Sequence, residues 1–186
     1  YHYTVYVPTN DAIKEAHNLG LPTWEQVWAV ANAGENAKAA SMLKSIINFA
    51  KYHFQDNSVY VDVEPVNNSY TTAVIDVKTN RFYELELASE GNTFTIKDGM
   101  GNVRRVLTNG KVDKDWNIMC RDNVYTSNGT GVSATLSNFE SSSFTVMQPI
   151  DGALFNESMF GYDGSFKRFA KNGADVDTMY VDGTGA

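Results

Sequence analysis

TVYVPTNDAIKEA, residues 4–16, joins a β-branched run to a stretch of good helix formers. The run from Thr4 to Val7 mixes β-branched and aromatic side chains, which favours a half-buried strand. Pro8 ends this run because proline has no N–H to donate to a neighbouring strand, and Thr9 or Asn10 is then placed to cap the helix that follows. The stretch therefore predicts a corner between a strand and a helix.

The composition is that of an ordinary globular protein with room for one well-buried domain. The chain has 186 residues, of which 42% are hydrophobic and 20% charged. No run approaches the ~20 apolar residues that cross a bilayer. The net charge is −7, from 15 basic and 22 acidic residues. Because phosphate binding needs clustered Lys and Arg, the composition argues against a nucleic-acid partner.

Cysteine and histidine usage gives no sign of a disulfide or a zinc site. Cys120 is the only cysteine, so no internal disulfide forms. The histidines, His2, His17 and His53, show no short-range ligand spacing. The chain starts at Tyr1 rather than Met, which indicates a processed or truncated chain, so the lack of an export signal is uninformative.

Two helices separated by Gly34 are predicted between residues 21 and 54. Thr23 and Gln26 fit a capping box at the start of the first, and the second begins near Asn36. Helical spacing predicts one apolar face on each helix. Those faces consist of Trp24, Val27 and Trp28 on the first helix, and of Leu43, Ile46, Ile47 and Ala50 on the second.

Beyond Gln55, short runs rich in Val, Thr, Tyr and Phe alternate with turn sequences. The predicted strands are SVYVDVEP (58–65), YTTAVIDV (70–77), FYELELA (82–88), TFTIKD (93–98), VRRVLT (103–108), VYTS (124–127) and SFTVM (143–147). Residues 70–88 and 93–107 are predicted to form antiparallel hairpins. Helices first and strands later indicate an α+β fold. A short helix is expected around Ser165 to Lys171.

One stretch imitates part of a calcium-binding loop. Asp113, Asp115 and Asn117 occupy its first three ligand positions. Ile118 stands where the sharp turn needs glycine, and Val124 where a bidentate Glu belongs. The sequence therefore does not predict calcium binding here.

No arrangement of side chains typical of an enzyme emerges. There is no G-x-S-x-G elbow and no complete dinucleotide loop. Glu84 and Glu86 project to one face of a strand, as a glycosidase pair would, but alternating acidic residues are more often the wet face of a sheet. The sequence predicts no catalytic residue and no cofactor. That prediction would weaken if Glu84, Glu86 or Asp151 lay in a deep pocket with perturbed titration.

Three segments, in order along the chain, resemble the fasciclin domain family. The corner segment, TVYVPTNDAI (4–13), is similar to the family's first signature, Thr-Val-Phe-Ala-Pro-Thr-Asn-x-Ala and an apolar residue. The Tyr-His segment, LKSIINFAKYHF (43–54), resembles its helix ending in Tyr-His, and the Ile-Asp segment, SSSFTVMQPIDGALF (141–155), its second signature. The matching residues are Thr4, Val5, Pro8, Thr9, Asn10, Ala12, Tyr52, His53, Phe144, Val146, Ile150, Asp151 and Leu154.

The resemblance covers about residues 3–155 and implies a β-sandwich wedge of antiparallel hairpins with helices packed at one side. Residues 1–155 are accordingly expected to form a single domain, without the helices that usually precede the first signature. Residues 156–186 would be an irregular extension packed on or beside it. The signature residues are expected to have structural roles, with His53 neutral and hydrogen-bonded to backbone.

Two departures from the family pattern limit what is carried over. The usual His before Ile-Asp is absent, with Gln148 and Pro149 in that neighbourhood, so pairing between two signature histidines is lost. Phe139 and Glu140 stand where an Asp-Ile pair is implicated in integrin binding in some animal members. That activity is therefore not expected of this chain.

The resemblance implies an extracellular adhesion module that binds a protein or glycan of another surface or matrix. The acidic, cysteine-poor chain suits a bacterial member, exported and tethered to the cell envelope, with a lipid anchor upstream of these residues. The alternative is a carbohydrate-binding or scaffold module of a bacterial polysaccharide-handling surface complex. Aromatic residues in or beside loops would then stack on sugar rings, against the alternative that they pack in the core. They are Trp116, Tyr125, Phe139 and Tyr162.

Overall fold

In the part of the chain that the structure describes, one strand is followed by three helices and then by a series of strands. The computed structural model describes residues 2–61, 66–90, 93–108, 116–121, 126–127, 132–133, 144–156, 159, 167–169 and 175–180. The helices are α1 (Asn10–Asn18), α2 (Trp24–Asn32) and α3 (Asn36–Tyr52). In the described part of the chain, none of them is long and apolar enough to span a bilayer.

The strands among the described residues form one large, mostly antiparallel sheet and two small ones. They are β1 (His2–Pro8), β2 (Phe54–Asp56), β3 (Asn67–Asp76), β4 (Arg81–Glu90), β5 (Thr93–Lys97), β6 (Val103–Arg105), β7 (Ile118–Arg121), β8 (Thr126–Ser127), β9 (Val132–Ser133), β10 (Phe144–Ile150), β11 (Lys167–Phe169) and β12 (Asp175–Tyr180). The order in the large sheet is β6-β5-β4-β3-β2-β1-β10-β7. The predicted hairpins are confirmed as β3–β4 and β5–β6, whereas β1 and β10 pair in parallel.

The large sheet curves until its β6 edge meets the end of β10. Val106, just after β6, forms an antiparallel bridge with Ile150 at the end of β10. Next to it, Leu107 N–H donates to the Pro149 carbonyl at 2.8 Å, and Asp151 N–H donates to the Arg105 carbonyl at 3.1 Å. Strands β1 to β6 and β10 therefore enclose one core in a nearly closed barrel, and β7 extends the sheet from β10. The chain is a mixed α and β protein.

The predicted corner is confirmed. Inside the sheet, β1 buries Thr4 and Tyr6, and its last residue is Pro8. Thr9 then caps α1, because its Oγ1 accepts the Ala12 N–H at 3.2 Å. Gly20, with φ +112°, takes the chain out of the helix through a conformation that favours glycine.

Replacing the cap should weaken the corner measurably. We expect Thr9→Ala to lower the free energy of unfolding by about 1 kcal/mol, because the Ala12 N–H loses its acceptor at the helix start. Urea unfolding followed by circular dichroism measures this loss. Thr9→Ser keeps the hydroxyl and should stay near the wild type. Equal losses of unfolding free energy in Thr9→Ala and Thr9→Ser would show that this hydrogen bond does not stabilise the corner.

The face that α3 turns to the core differs from the predicted one. The buried residues of α3 are Ala39, Met42, Ser45, Phe49 and Tyr52. The predicted face is wrong: Leu43 and Ile46 are half-buried, whereas Ile47 and Ala50 are exposed. The periodicity identified the most hydrophobic stripe, but the core-facing stripe includes the small residues Ala39 and Ser45. Helix α2 also packs against α3.

Three further local predictions are corrected. Phe54 begins β2 rather than ending a helix, and Lys167–Phe169 form β11 where a short helix was expected. Val59 and Val61 are buried in the core without belonging to a strand, while residues 62–65 lie outside the described residues. The reason for the last difference is that the Val59 and Val61 N–H groups bond to side chains instead of a neighbouring strand.

Candidate functional site

His53 lies at the end of α3, and both its ring nitrogens contact backbone groups. Nδ1 is 2.7 Å from the Phe49 carbonyl oxygen, and Nε2 accepts the Leu154 N–H at 3.0 Å. Because a carbonyl only accepts, Nδ1 carries a proton. Because Nε2 accepts the Leu154 N–H, it carries none, and the ring is therefore neutral. Burial lowers the pKa of His53 to about 4, against the opposing effect of its bond to Phe49. The imidazole therefore joins the Tyr-His segment to the Ile-Asp segment.

Tyr52, the other residue of the Tyr-His pair, also bonds to backbone on both sides. Its hydroxyl accepts the Gly99 N–H at 2.8 Å and donates to the Glu84 carbonyl at 3.3 Å. Burial raises the pKa of the phenol well above its usual value. The hydroxyl is thus a fixed, protonated link between α3 and two of the hairpins.

Asp98, between β5 and β6, is a buried carboxylate that, like Tyr52 and His53, bonds to backbone groups. Its Oδ1 accepts the N–H groups of Met100 and Asn102 at 3.0 and 2.8 Å. Its Oδ2 accepts Asn102 Nδ2 and the Phe155 N–H, both at 2.9 Å. These four donors match the four lone-pair sites of a carboxylate. Burial nevertheless raises the pKa of Asp98, opposed by the hydrogen bonds.

A second buried cluster joins β1 and β10 to two connecting segments. Thr4 Oγ1 donates to the Asn57 carbonyl at 2.8 Å and accepts the Val59 N–H at 2.9 Å. Gln148 Nε2 donates to the Val59 carbonyl at 3.1 Å and to Asn117 Oδ1 at 2.7 Å, while its Oε1 accepts the Asn117 N–H at 2.9 Å. Gln148, in the neighbourhood where the resembling family has a histidine, thus has a structural role.

The carboxylates considered for catalysis lie at the surface. Glu84 and Glu86 are exposed on β4, and Glu86 pairs with Lys97 at 2.8 Å. Asp151 is also exposed, and its Oδ1 accepts the Arg105 N–H at 2.8 Å beside the barrel closure. The structure therefore does not bring these three carboxylates into a buried pocket.

The calcium-like loop is only partly covered by the structure. Asp113, Asp115 and Val124 lie outside the described residues. The Asn117 amide is engaged with Val61, accepting its N–H at 2.9 Å and donating to its carbonyl at 3.0 Å. Over the described residues, no group of three or more His, Cys, Asp or Glu is placed to hold a metal ion.

Of the four aromatic residues proposed for sugar stacking, the structure describes one. Trp116 is half-buried and packs against the hydrophobic core. Tyr125, Phe139 and Tyr162 lie outside the described residues, as does Glu140. Ligand contact at these positions stays a prediction.

Two other tryptophans, both on α2, are exposed aromatic residues that the sequence reasoning did not consider for binding. Trp24 and Trp28 on α2 are 58% and 65% exposed, and α2 buries none of its residues. The apolar face predicted from Trp24, Val27 and Trp28 is therefore not buried, since both indoles are exposed and Val27 is half-buried. The half-buried residues of α2 are Val27, Val30 and Ala31, which by helical spacing share one side of the helix. Helix α2 contacts α3, and the two indoles stand on a flank beside that half-buried side.

A scan of protein-family models gives no match, and a search of curated protein sequences gives none either. The fasciclin resemblance therefore depends on the three sequence segments.

Proposed function

We propose that the chain is a non-enzymatic binding module with a fasciclin-like fold, exposed on a cell surface. The first support is that the three resembling segments meet. The corner segment pairs in parallel with the Ile-Asp segment, from Thr4 opposite Val146 to Pro8 opposite Ile150. The Tyr6 N–H donates to the His53 carbonyl at 2.9 Å, which ties in the Tyr-His segment.

The pairing pattern of the large sheet is a second support for the proposed wedge. Strands β2, β1, β10 and β7 form one half, and β3, β4, β5 and β6 the other. Between β2 and β3 the pairing is confined to Gln55 opposite Thr72. On the other side the halves meet at the bridge between Val106 and Ile150. The short pairing at these two places supports the proposed fasciclin-like wedge with helices at its side.

The observation that carries the proposed function is a contrast between the buried polar side chains, which bond to backbone, and the exposed tryptophans. In the interior, the side chains of His53, Tyr52 and Asp98 form hydrogen bonds with backbone groups. On the surface, Trp24 and Trp28 expose more than half of their area. Exposed aromatic residues in a fixed position are typical of recognition surfaces, where tryptophan contributes a large share of the binding energy.

In this proposal the module is extracellular, and its ligand is a protein or glycan of a neighbouring surface or matrix. An exported bacterial protein tethered to the cell envelope by a lipid anchor suits the acidic, cysteine-poor composition. A scaffold role in a polysaccharide-handling complex is the second candidate, and the exposed tryptophan pair favours it, since indole rings stack on sugars.

A binding array tests the proposed function. The full chain is applied to defined matrix proteins and polysaccharides, with the Trp24→Ala/Trp28→Ala double variant in parallel. We expect at least one ligand to be retained by the wild type and lost by the double variant. Phe82→Ala is the matched control, because Phe82 is 50% exposed on a different element, β4. Retention no greater than that of heat-denatured chain across the array would contradict the proposal.

A further inference from the structure

We propose that α2 is a glycan-binding site, on which Trp24 and Trp28 stack against the rings of an uncharged sugar chain. This inference rests on the proposed function and names its ligand class. The two residues are four apart on the helix, so they lie on one flank about 6 Å apart along the axis. That spacing is close to the length of one sugar unit, so neighbouring rings of a chain reach both indoles.

Hydrogen-bonding side chains stand beside the indoles. Glu25 and Asn32 are exposed and lie three and four residues from Trp28, on the same flank. A carboxylate and an amide beside an aromatic face suit the ring hydroxyls of a sugar, which both donate and accept. The flank thus combines an apolar platform with polar groups at its border.

The charge of α2 favours an uncharged ligand. Glu25 is the only charged residue among its nine, in a chain of net charge −7. The neighbouring Lys38 is already 3.7 Å from Glu35. An acidic polysaccharide would need clustered basic residues, as phosphate chains do, and the residues of α2 provide none.

The exposed aromatic area argues for a small contact rather than a second protein. A fully buried tryptophan covers at most about 250 Å², so two rings at 58% and 65% exposure offer roughly 300 Å². A stable protein interface takes about 800 Å² from each partner. A sugar ring, in contrast, needs one indole face.

The platform is also fixed before any ligand arrives. Thr23 and Gln26 form a capping box, with the Gln26 side chain accepting the Thr23 N–H at 2.9 Å and Thr23 Oγ1 accepting the Gln26 N–H at 3.2 Å. A three-residue connection leads from α2 into α3, against which α2 packs. A pre-organised surface loses little conformational entropy on binding.

Tryptophan fluorescence and calorimetry of the full chain test the site. The probes are cellohexaose, maltohexaose, chitohexaose and a mannan, with heparin as the charged probe and phosphatidylcholine vesicles as the apolar one. We expect an uncharged glycan to bind and to shift the emission. Trp24→Leu or Trp28→Leu should weaken that binding at least about tenfold, the scale of losing one stacking ring.

Matched variants separate stacking from general apolar contact. Trp28→Phe keeps a ring and should retain more affinity than Trp28→Leu, and Phe82→Leu, on β4, should bind like the wild type. Equal binding by the Phe and Leu variants, or a preference for heparin or vesicles, would overturn the inference. If the tryptophan variants lose a matrix protein on the array but no glycan binds, the inference is wrong and the proposed function stands. If no ligand is retained at all, both are wrong.

Discussion

Lowering the pH from 7 to 4 should cost about 3 kcal/mol of unfolding free energy through His53. The pKa of His53 falls from 6.5 to about 4 on folding, and each unit corresponds to 1.36 kcal/mol. Between these pKa values the unfolded chain binds more protons than the folded chain. The stabilising contribution of neutral His53 is therefore fully present above pH 6.5 and is lost as the pH falls through 4. The structural reason is that protonated Nε2 would face the Leu154 N–H, donor against donor.

Urea unfolding of the wild type and of His53→Gln at several pH values isolates this contribution. Burial raises the pKa of Asp98, so its folded form holds a proton more tightly and its contribution changes with the opposite sign. Both proteins contain Asp98, so the difference between them reports His53. His17→Gln is the control, since His17 is only half-buried beside Leu21. If His53→Gln kept the full pH slope, the assigned protonation state would be wrong.

Removing the Asp98 carboxylate should destabilise the protein more than removing any exposed carboxylate. We expect Asp98→Ala to lower the free energy of unfolding at pH 7 by about 4 kcal/mol, because a buried donor left without an acceptor costs about 1–3 kcal/mol. The substitution leaves four such donors, including the Phe155 N–H. Chemical unfolding monitored by fluorescence measures the loss.

Asp151→Ala provides the comparison for Asp98→Ala. Asp151 is exposed and accepts one backbone N–H, from Arg105, so its loss should cost about 1 kcal/mol. Asp98→Asn keeps one acceptor oxygen and should fall between the wild type and Asp98→Ala. Similar losses for Asp98→Ala and Asp151→Ala would show that the buried acceptor does not anchor the Ile-Asp segment.

Local chemistry is what made parts of the fold predictable. The Thr9 cap and the capping box at Thr23 are determined by residues within three positions of each other. The β3–β4 hairpin likewise joins neighbouring runs, and its turn ends at Asn80, whose φ of +54° is one that asparagine tolerates. In each case the determining residues are close in sequence.

Long-range pairing explains what the sequence did not reveal. β1 lies beside β10, more than a hundred residues away, and nothing in the corner segment itself specifies that partner. The Val59 and Val61 run looks like a strand, but Thr4 and Asn117 take its N–H groups. Asp98 was not singled out at all, because its importance depends on Phe155 reaching it from another part of the chain.

The candidate site could likewise be predicted from the sequence only in part. A backbone-bonded, neutral His53 follows from a lone histidine beside an apolar helix face, and its contacts agree with that expectation. Trp24 and Trp28 were predicted to lie on an apolar face, but helical periodicity does not distinguish a face that packs on the core from one that stays exposed. A nine-residue helix with one charge and two tryptophans four apart was the available signal.

The central claim is that the Tyr-His and Ile-Asp segments are joined through a neutral His53. Nitrogen NMR of the three imidazoles, recorded across a pH titration with His53→Gln for assignment, tests it most directly. We expect His53 to carry its proton on Nδ1 alone at pH 7 and to titrate near pH 4. A His53 that titrates near pH 6.5, or that carries its proton on Nε2, would contradict the claim.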